Sequence, residues 1–260
     1  MDAKKLFEGK KITQMGLGVL GRGVGDAVFL AECGAELIVT DLKDAEALAP
    51  SVEKLKKYPN VSLVLGEHRL EDFRGRDMVL FGPKVPLDSP FIVEAKKEGI
   101  HTTMSAALFA KYAGIPIIGV TGTRGKSTTT HMIYHILKEA GEKPFLGGNV
   151  EGVSTLAELP RAKEYTVAVL ELDSWQLQGF RCETISPSFS VFTTFFRDHQ
   201  DYYNSMDLYL ADKAEIFLHQ KETDILIIGE QVAPILKERY EGRIRGFSLI
   251  VGDDQLLATL

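Results

Sequence analysis

Cysteine is nearly missing from this sequence: Cys33 and Cys182 are the only two in 260 residues. They lie far apart without the spacing of a metal-binding pair, which argues against a disulfide framework and favours buried thiols in a reducing compartment. Long apolar runs are missing too. None could span a bilayer, and the start, Met1-Asp-Ala-Lys-Lys-Leu-Phe-Glu-Gly-Lys-Lys11, holds no apolar signal core. A cytoplasmic protein with no membrane partner is expected. There is no excess of positive charge: 30 basic side chains against 36 acidic ones leave a net charge of −6, and no basic stripe carries interleaved aromatics. That argues against a nucleic-acid partner. Repeats and low-complexity segments are also absent. What remains is an apolar share of 45%, ample for buried cores, over a length that suits two medium domains.

The chain is organised around Gly119-Val-Thr-Gly-Thr-Arg-Gly-Lys-Ser-Thr-Thr129. The apolar run 115–120 before it reads as a buried strand. After it, Met132, Ile133, Ile136, Leu137 and Ala140 fall on one side of a helix. Strand, glycine loop, Lys-Ser and helix together cradle a phosphate, because backbone N–H groups and the helix N-terminus point at the anion. Lys126 adds a point charge and the Ser127 hydroxyl can ligate Mg²⁺. The strict spacing G-x-x-x-x-G-K-[ST] fails by one place, since Val120 stands five residues before Gly125. ATP binding is expected, with Gly122, Thr123, Arg124, Gly125, Lys126, Ser127 and Thr128 around the phosphates.

The first hundred residues begin with a second glycine loop. Ile12-Thr-Gln-Met runs into Gly16-x-Gly18-x-x-Gly21; a helix follows with Val24, Ala27, Val28 and Ala31 at core spacing, then a strand over 37–41 ending in Asp41. This is a dinucleotide-type opening, with an acid placed for a ribose or base edge. A plain α/β unit whose glycines merely serve the turn is the alternative. Helices over 44–57, 89–98 and 105–112 and strands over 61–65 and 77–81 continue the alternation, which implies a parallel sheet. Gly114-Ile-Pro116 marks the boundary, giving domains of 1–113 and 114–260.

In the second domain, Gly147-Gly-Asn-Val-Glu-Gly152 is a polar glycine loop, and the strand 166–171 ends in Glu171. An acid there either offers Mg²⁺ an oxygen or caps the next turn. The strand 190–194 leads to His199, flanked by Asp198 and Asp201, a metal ligand or a surface histidine. On an expected helix over 206–220, Met206, Leu210, Lys213 and Phe217 share a stripe. A lysine on an apolar stripe either snorkels or is held for chemistry.

In this order these motifs resemble the Mur ligases of peptidoglycan synthesis, and within that family the branch that joins D-glutamate to UDP-N-acetylmuramoyl-L-alanine. TGTRGKST, GGN, LELDSWQL and the DHQDYY…YLADKAEIF segment carry the likeness along essentially the whole chain. The resemblance implies an α/β fold: a Rossmann-like domain for the UDP-substrate, then an incomplete P-loop-type central ATP-binding domain. It assigns Gly16, Gly18, Gly21, Arg22 and Asp41 to the uridine diphosphate, and Lys126, Ser127 and Thr128 to ATP and Mg²⁺. Asn149, Ser174 and Gln176 fall near the muramoyl-alanine; Glu171 and His199 match Mg²⁺ ligands, and Lys213 matches a lysine that takes up CO₂ as a metal-binding carbamate. Lys126, Glu171, His199 and Lys213 thus form the implied catalytic set. The implied activity is ATP-dependent amide-bond formation through an acyl phosphate, by a monomer using ATP and Mg²⁺.

Several positions depart from the family pattern. Arg124 stands where Asn is usual, Asp173 for Ser, Trp175 for Phe, Gly82-Pro83-Lys84 for Ser-Pro-Gly, and Gly229-Glu-Gln231 lacks an Asn-x-Asp-Asp. The family's C-terminal domain, which binds the acceptor amino acid, lies outside these 260 residues, so weak or no ligation by the chain alone is expected. The alternatives are a non-catalytic UDP-sugar or nucleotide-binding module, another Mur ligase specificity, and an NAD-dependent oxidoreductase built on the first glycine loop.

Overall fold

A computed structural model describes residues 3–199, 201–252 and 255–259. The chain folds into two compact units, one of residues 1–112 with 150–161 and one of residues 113–149 with 162–260. The first division falls beside the expected boundary. The return of 150–161 to the first unit was not expected: that stretch reads as part of the second domain when the chain is cut once.

In the first unit, α1 (Ala3–Phe7) precedes β1 (Lys11–Met15), α2 (Arg22–Glu32), β2 (Glu36–Asp41), α3 (Ala49–Leu55), β3 (Val61–Leu65), β4 (Met78–Phe81), α4 (Pro90–Lys97), β5 (His101–Thr103) and α5 (Ser105–Tyr112). The strands form a parallel sheet in the order β3-β2-β1-β4-β5, with Lys11 opposite Glu36 and Ile12 opposite Met78. The order reverses between β1 and β4, so a crevice opens at their carboxyl ends, beside the Gly16 turn. The core is built from Ile12, Leu37, Val39, Val79, Ala27 and Leu30, all at most 4% exposed. The helix expected over 44–57 begins only at Ala49; the residues before it form turns, consistent with Pro50 in the first turn, where a missing N–H is tolerated.

Asp26, on the buried face of α2, accepts hydrogen bonds from the Ser105 hydroxyl at 2.9 Å and from the Ser154 hydroxyl, in the 150–161 segment, at 2.6 Å. Burial pushes its carboxyl from 3.8 up to about 6, against the pull of both serines and of Arg22. Because the folded-state value is the higher, this group favours folding below pH 4, and the benefit is lost as pH rises to about 6. At 1.36 kcal/mol per pH unit the full swing is about 3 kcal/mol. Asp26→Asn is therefore expected to gain on the wild type between pH 4.5 and 7.5. Urea unfolding of both proteins at each pH checks this, and parallel changes would refute it.

In the second unit, β6 (Ile117–Thr121), α6 (Lys126–Glu139), β7 (Pro144–Gly148), β8 (Val167–Glu171), α7 (Ser174–Glu183), β9 (Phe189–Phe192), α8 (Met206–Ala214), β10 (Ile225–Gly229), α9 (Ala233–Tyr240), β11 (Phe247–Gly252) and β12 (Gln255–Thr259) follow one another. The sheet order is β12-β11-β10-β9-β6-β8-β7, parallel except for β12. β8 is buried at all five positions, as an inner parallel strand covered on both faces should be.

Two expectations fail here. Helix α6 packs through Thr130, with Ile133 and Leu137 half-buried, whereas Met132 and Ile136 are 58% and 64% exposed. Three of the five residues expected on one side, Met132, Ile136 and Ala140, face outward, because the inward line follows 130, 133 and 137. Helix α8 ends at Ala214 rather than Gln220, and Phe217 stays buried from the turns that follow.

Candidate functional site

The carboxyl ends of β6, β8 and β9 converge on the phosphate-type loop. Gly122 sits at φ 147°, and a Cβ there would lie 2.0 Å from Thr193 Oγ1 and 2.9 Å from the Thr194 nitrogen. Only glycine lets the loop come this close to the end of β9. The loop is sewn to that strand end by Thr123 N–H to the Thr194 carbonyl (2.7 Å), Arg124 N–H to Thr194 Oγ1 (2.9 Å) and Thr193 Oγ1 to the Arg124 carbonyl (2.6 Å). Gly125, at φ 83°, caps α6, and Ser127 and Thr128 are exposed in its first turn. That brings Gly122 through Thr128 together as one turn leading into α6, with Gly122 and Thr123 buried and Arg124, Gly125, Ser127 and Thr128 exposed.

Two lysines meet on one carbonyl of this loop. Lys126 Nζ donates to the carbonyls of Gly122 (3.0 Å) and Thr123 (3.2 Å), and Lys213 Nζ donates to Gly122 at 2.9 Å. Lys213 does not snorkel: it is 1% exposed, with Nζ 4.8 Å from the centre of the Tyr209 ring. Burial, and then the charge of Lys126, lower its amine from 10.5 to about 7, although Asp173, Asp198 and Asp212 pull the other way. A substantial fraction is therefore neutral at physiological pH.

Glu171 ends β8 and is 5% exposed; its Oε1 accepts from Asn149 Nδ2 at 3.2 Å, and its carbonyl accepts the Asn149 N–H at 2.8 Å. Gly148 permits that approach, since a Cβ there would lie 2.1 Å from the Glu171 carbonyl oxygen. Ser174 and Gln176 form the first turn of α7, which opens with a capping box: Asp173 Oδ1 accepts the Gln176 N–H at 2.7 Å and Gln176 Oε1 accepts the Asp173 N–H at 3.3 Å. His199, at φ 51°, packs against Trp175 with ring centres 4.6 Å apart and planes tilted by 57°, and lies edge-to-face with Tyr209 at 5.8 Å. Tyr209 thus carries His199 and Lys213 on one ring. Among the described residues no three His, Cys, Asp or Glu side chains converge to hold a metal. The donor chemistry still suits Mg²⁺, which binds through one or two carboxylates plus substrate phosphates rather than an all-protein cage, and Glu171 and Ser127 are oxygen donors.

A network that sequence reading missed ties α7 to α8 at the residue before Lys213. Asp212 Oδ2 accepts from Gln178 Nε2 at 2.6 Å and from the Tyr203 hydroxyl at 2.8 Å, and Oδ1 pairs with Arg181 at 2.8 Å. Arg181 also reaches Glu215 at 2.7 Å, and Glu215 meets His219 at 3.1 Å. No spacing in the sequence pairs these residues, which lie up to 34 positions apart.

In the first unit, Asp41 Oδ2 accepts the N–H groups of Leu17 (2.8 Å) and Gly18 (3.0 Å), and Oδ1 accepts that of Lys43 (2.9 Å). Burial alone would raise its pKa; the three donors bring it below its ordinary value. The carboxylate read as a ligand contact is first the organiser of the glycine loop, with one lone pair on Oδ1 left over. Gly16, Gly18 and Gly21 all lie at positive φ, and Arg22 opens α2. Gly23 was not singled out, yet a Cβ there would lie 2.2 Å from the Leu17 carbonyl oxygen.

Fold and site define an α/β protein of the phosphate-loop class. The model of the Mur ligase middle domain matches residues 120–249, and the chain belongs to the Mur ligase family. UDP-N-acetylmuramoylalanine–D-glutamate ligases from Treponema pallidum and Roseiflexus are each 38% identical, over 87% and 88% of this chain and 44% and 48% of theirs. One from Clostridium kluyveri is 33% identical over 95% of this chain and 53% of its own. The chain therefore spans about half the length of the curated relatives it matches. Among solved structures, a UDP-N-acetylmuramate:L-alanyl-gamma-D-glutamyl-meso-diaminopimelate ligase from Neisseria shares the fold with a TM-score of 0.57 at 17% identity, covering 95% of this chain and 82% of that one. No helix among the described residues is long and apolar enough to cross a membrane.

Proposed function

We propose that this chain carries the substrate-binding and ATP-binding portion of a ligase that adds D-glutamate to UDP-N-acetylmuramoyl-L-alanine. The observation that carries the reading is the pairing of Lys126 and Lys213 on the Gly122 carbonyl, with Glu171 at the end of the adjacent strand. The names of the relatives supply the substrates. In the proposed reaction the substrate carboxylate attacks the γ-phosphate of ATP, giving an acyl phosphate and ADP. The D-glutamate amine then displaces phosphate and leaves an amide. Such transfer needs positioning and charge neutralisation rather than covalent help from the protein.

In that reading, the loop N–H groups and Lys126 hold the phosphates, with Thr128 beside them. Glu171 and Ser127 would hold Mg²⁺, with His199 beside the site, and the ion would neutralise developing negative charge. Lys213, with its depressed amine, would take up CO₂ as a carbamate, an anion suited to a second cation. Asn149, Ser174 and Gln176 would face the muramoyl-alanine end. Gly16, Gly18, Gly21, Arg22 and Asp41 would hold the uridine diphosphate, Asp41 through its remaining lone pair.

Calorimetric titration with UDP-N-acetylmuramoyl-L-alanine, with NADH for comparison, tests the first unit. Micromolar binding of the UDP-sugar and none of NADH supports the reading; NADH binding alone overturns it in favour of an oxidoreductase. For Lys213, ¹³C-bicarbonate should give a carbamate signal in the NMR spectrum that Lys213→Arg removes. A spectrum unchanged by that substitution would exclude the carbamate.

A further inference from the structure

We propose that Gln231 is a positioning residue for the nucleotide site: it holds the chain leaving β9 against the phosphate loop. The inference deepens the ATP reading above and rests on it. Gln231 is exposed, and an exposed glutamine ordinarily gives its amide to water. Here both ends of the amide go to one residue. Its Oε1 accepts the Phe195 N–H at 2.8 Å, and its Nε2 donates to the Phe195 carbonyl at 2.8 Å. A neighbouring strand would make the same two bonds. The β9–β10 ladder ends at Phe192 opposite Ile228, so this side chain carries the pairing on to Phe195. Its mount is firm: the Glu230 N–H donates to the Val251 carbonyl at 2.9 Å and the Val232 N–H to the Gly229 carbonyl at 2.8 Å. A Cβ at Gly229 would lie 2.0 Å from the Thr193 carbonyl oxygen. An asparagine there would not fit, which gives the departure of Gly229-Glu-Gln231 from Asn-x-Asp-Asp a physical reason.

What Gln231 holds is the backing of the phosphate loop. The Thr123 N–H donates to the Thr194 carbonyl at 2.7 Å, and the Phe196 N–H donates to Thr123 Oγ1 at 3.0 Å. Residues 194 and 196 thus face the loop. Phe195, between them, turns its backbone the other way, and both of its polar groups go to Gln231. Its ring is 7% exposed and packs 5.4 Å from the Tyr209 ring, the ring that also meets His199 and the Lys213 amine. A slip of 194–196 therefore disturbs Thr123 on one side and Tyr209 with its two partners on the other. The chemistry of the clamp is specific. Asparagine is one methylene short, and glutamate offers the Phe195 carbonyl no N–H.

The test is titration of ATP, with MgCl₂, into wild type, Gln231→Ala and Gln231→Glu, with the imidazole NMR resonances recorded alongside. Glutamate has the shape of glutamine without the N–H. Both variants should bind ATP about tenfold more weakly, as loss of hydrogen bonds to a buried main chain implies. The His199 resonance, assigned by its loss in His199→Gln, should shift in both variants, while those of His131 and His135 on α6 stay. Wild-type affinity in the glutamate variant would mean that the side chain only fills space, and a shift of all three histidines together would mean a general loosening. Either overturns the proposal while leaving wild-type ATP binding intact. Failure of the wild type to bind ATP would overturn both this inference and the reading beneath it.

Discussion

Alanine in place of Gly122 is expected to abolish ATP binding and to cost about 3 kcal/mol of stability. The added methyl would lie 2.0 Å from Thr193 Oγ1 and 3.1 Å from the Thr194 carbonyl oxygen, with the backbone at φ 147°. Thr193 cannot swing aside freely, because its hydroxyl also bonds the Thr121 carbonyl at 3.1 Å and the Arg124 carbonyl at 2.6 Å. Overpacking of this kind costs about 1–3 kcal/mol, and a backbone conformation disfavoured for L-residues adds about 1–2 more. The loop's route to relief is to leave β9, and that disperses the N–H groups proposed to hold the phosphates. Urea unfolding and ATP titration read the two effects separately. ATP binding at wild-type affinity would show that the close approach to Thr193 is not required.

The second large effect is expected at Asp212. Burial raises its pKa even though Gln178, Arg181 and Tyr203 all favour the charged form. The ionised carboxylate is thus incompletely compensated, and a neutral residue of the same shape should be tolerated. Asp212→Asn keeps an acceptor for Gln178 or Tyr203 and should cost about 1 kcal/mol. Asp212→Ala takes from Gln178 and Tyr203 their shorter acceptor, leaving Gln178 only the Tyr202 hydroxyl at 3.4 Å, and strips Arg181 of one carboxylate, for a cost of about 3 kcal/mol. Because Lys213 is the next residue on α8, the alanine variant should also lose the proposed Lys213 carbamate signal, whereas the asparagine variant keeps it. Chemical denaturation gives the ranking; equal costs for the two substitutions would deny Asp212 its role as an acceptor.

The phosphate loop, the first glycine loop and the strands that feed them were legible in the sequence because glycine spacing and apolar runs encode backbone conformation locally. Hidden features depend on partners distant along the chain. Asp26 lies 79 residues from Ser105 and 128 from Ser154, so nothing near it announces a buried carboxylate. β5 has only three residues, too few for any periodicity to register. The true inward face of α6 was masked because Met132 and Ile136 are apolar although exposed. Asp41 was found for its spacing, yet its work on the loop appears only when the Leu17 and Gly18 amides are seen to point at it.

The return of residues 150–161 to the first unit means that the chain passes between its two units three times, at 112/113, 149/150 and 161/162. No single cut can separate them. A recombinant piece beginning at Ala113 would carry Leu156 and Leu159, 0% and 7% exposed in the intact chain, as sticky orphans. The complementary piece would be left with Asp26 stripped of Ser154. Work on either half is therefore best done by splicing out 150–161 from one piece and grafting it onto the other.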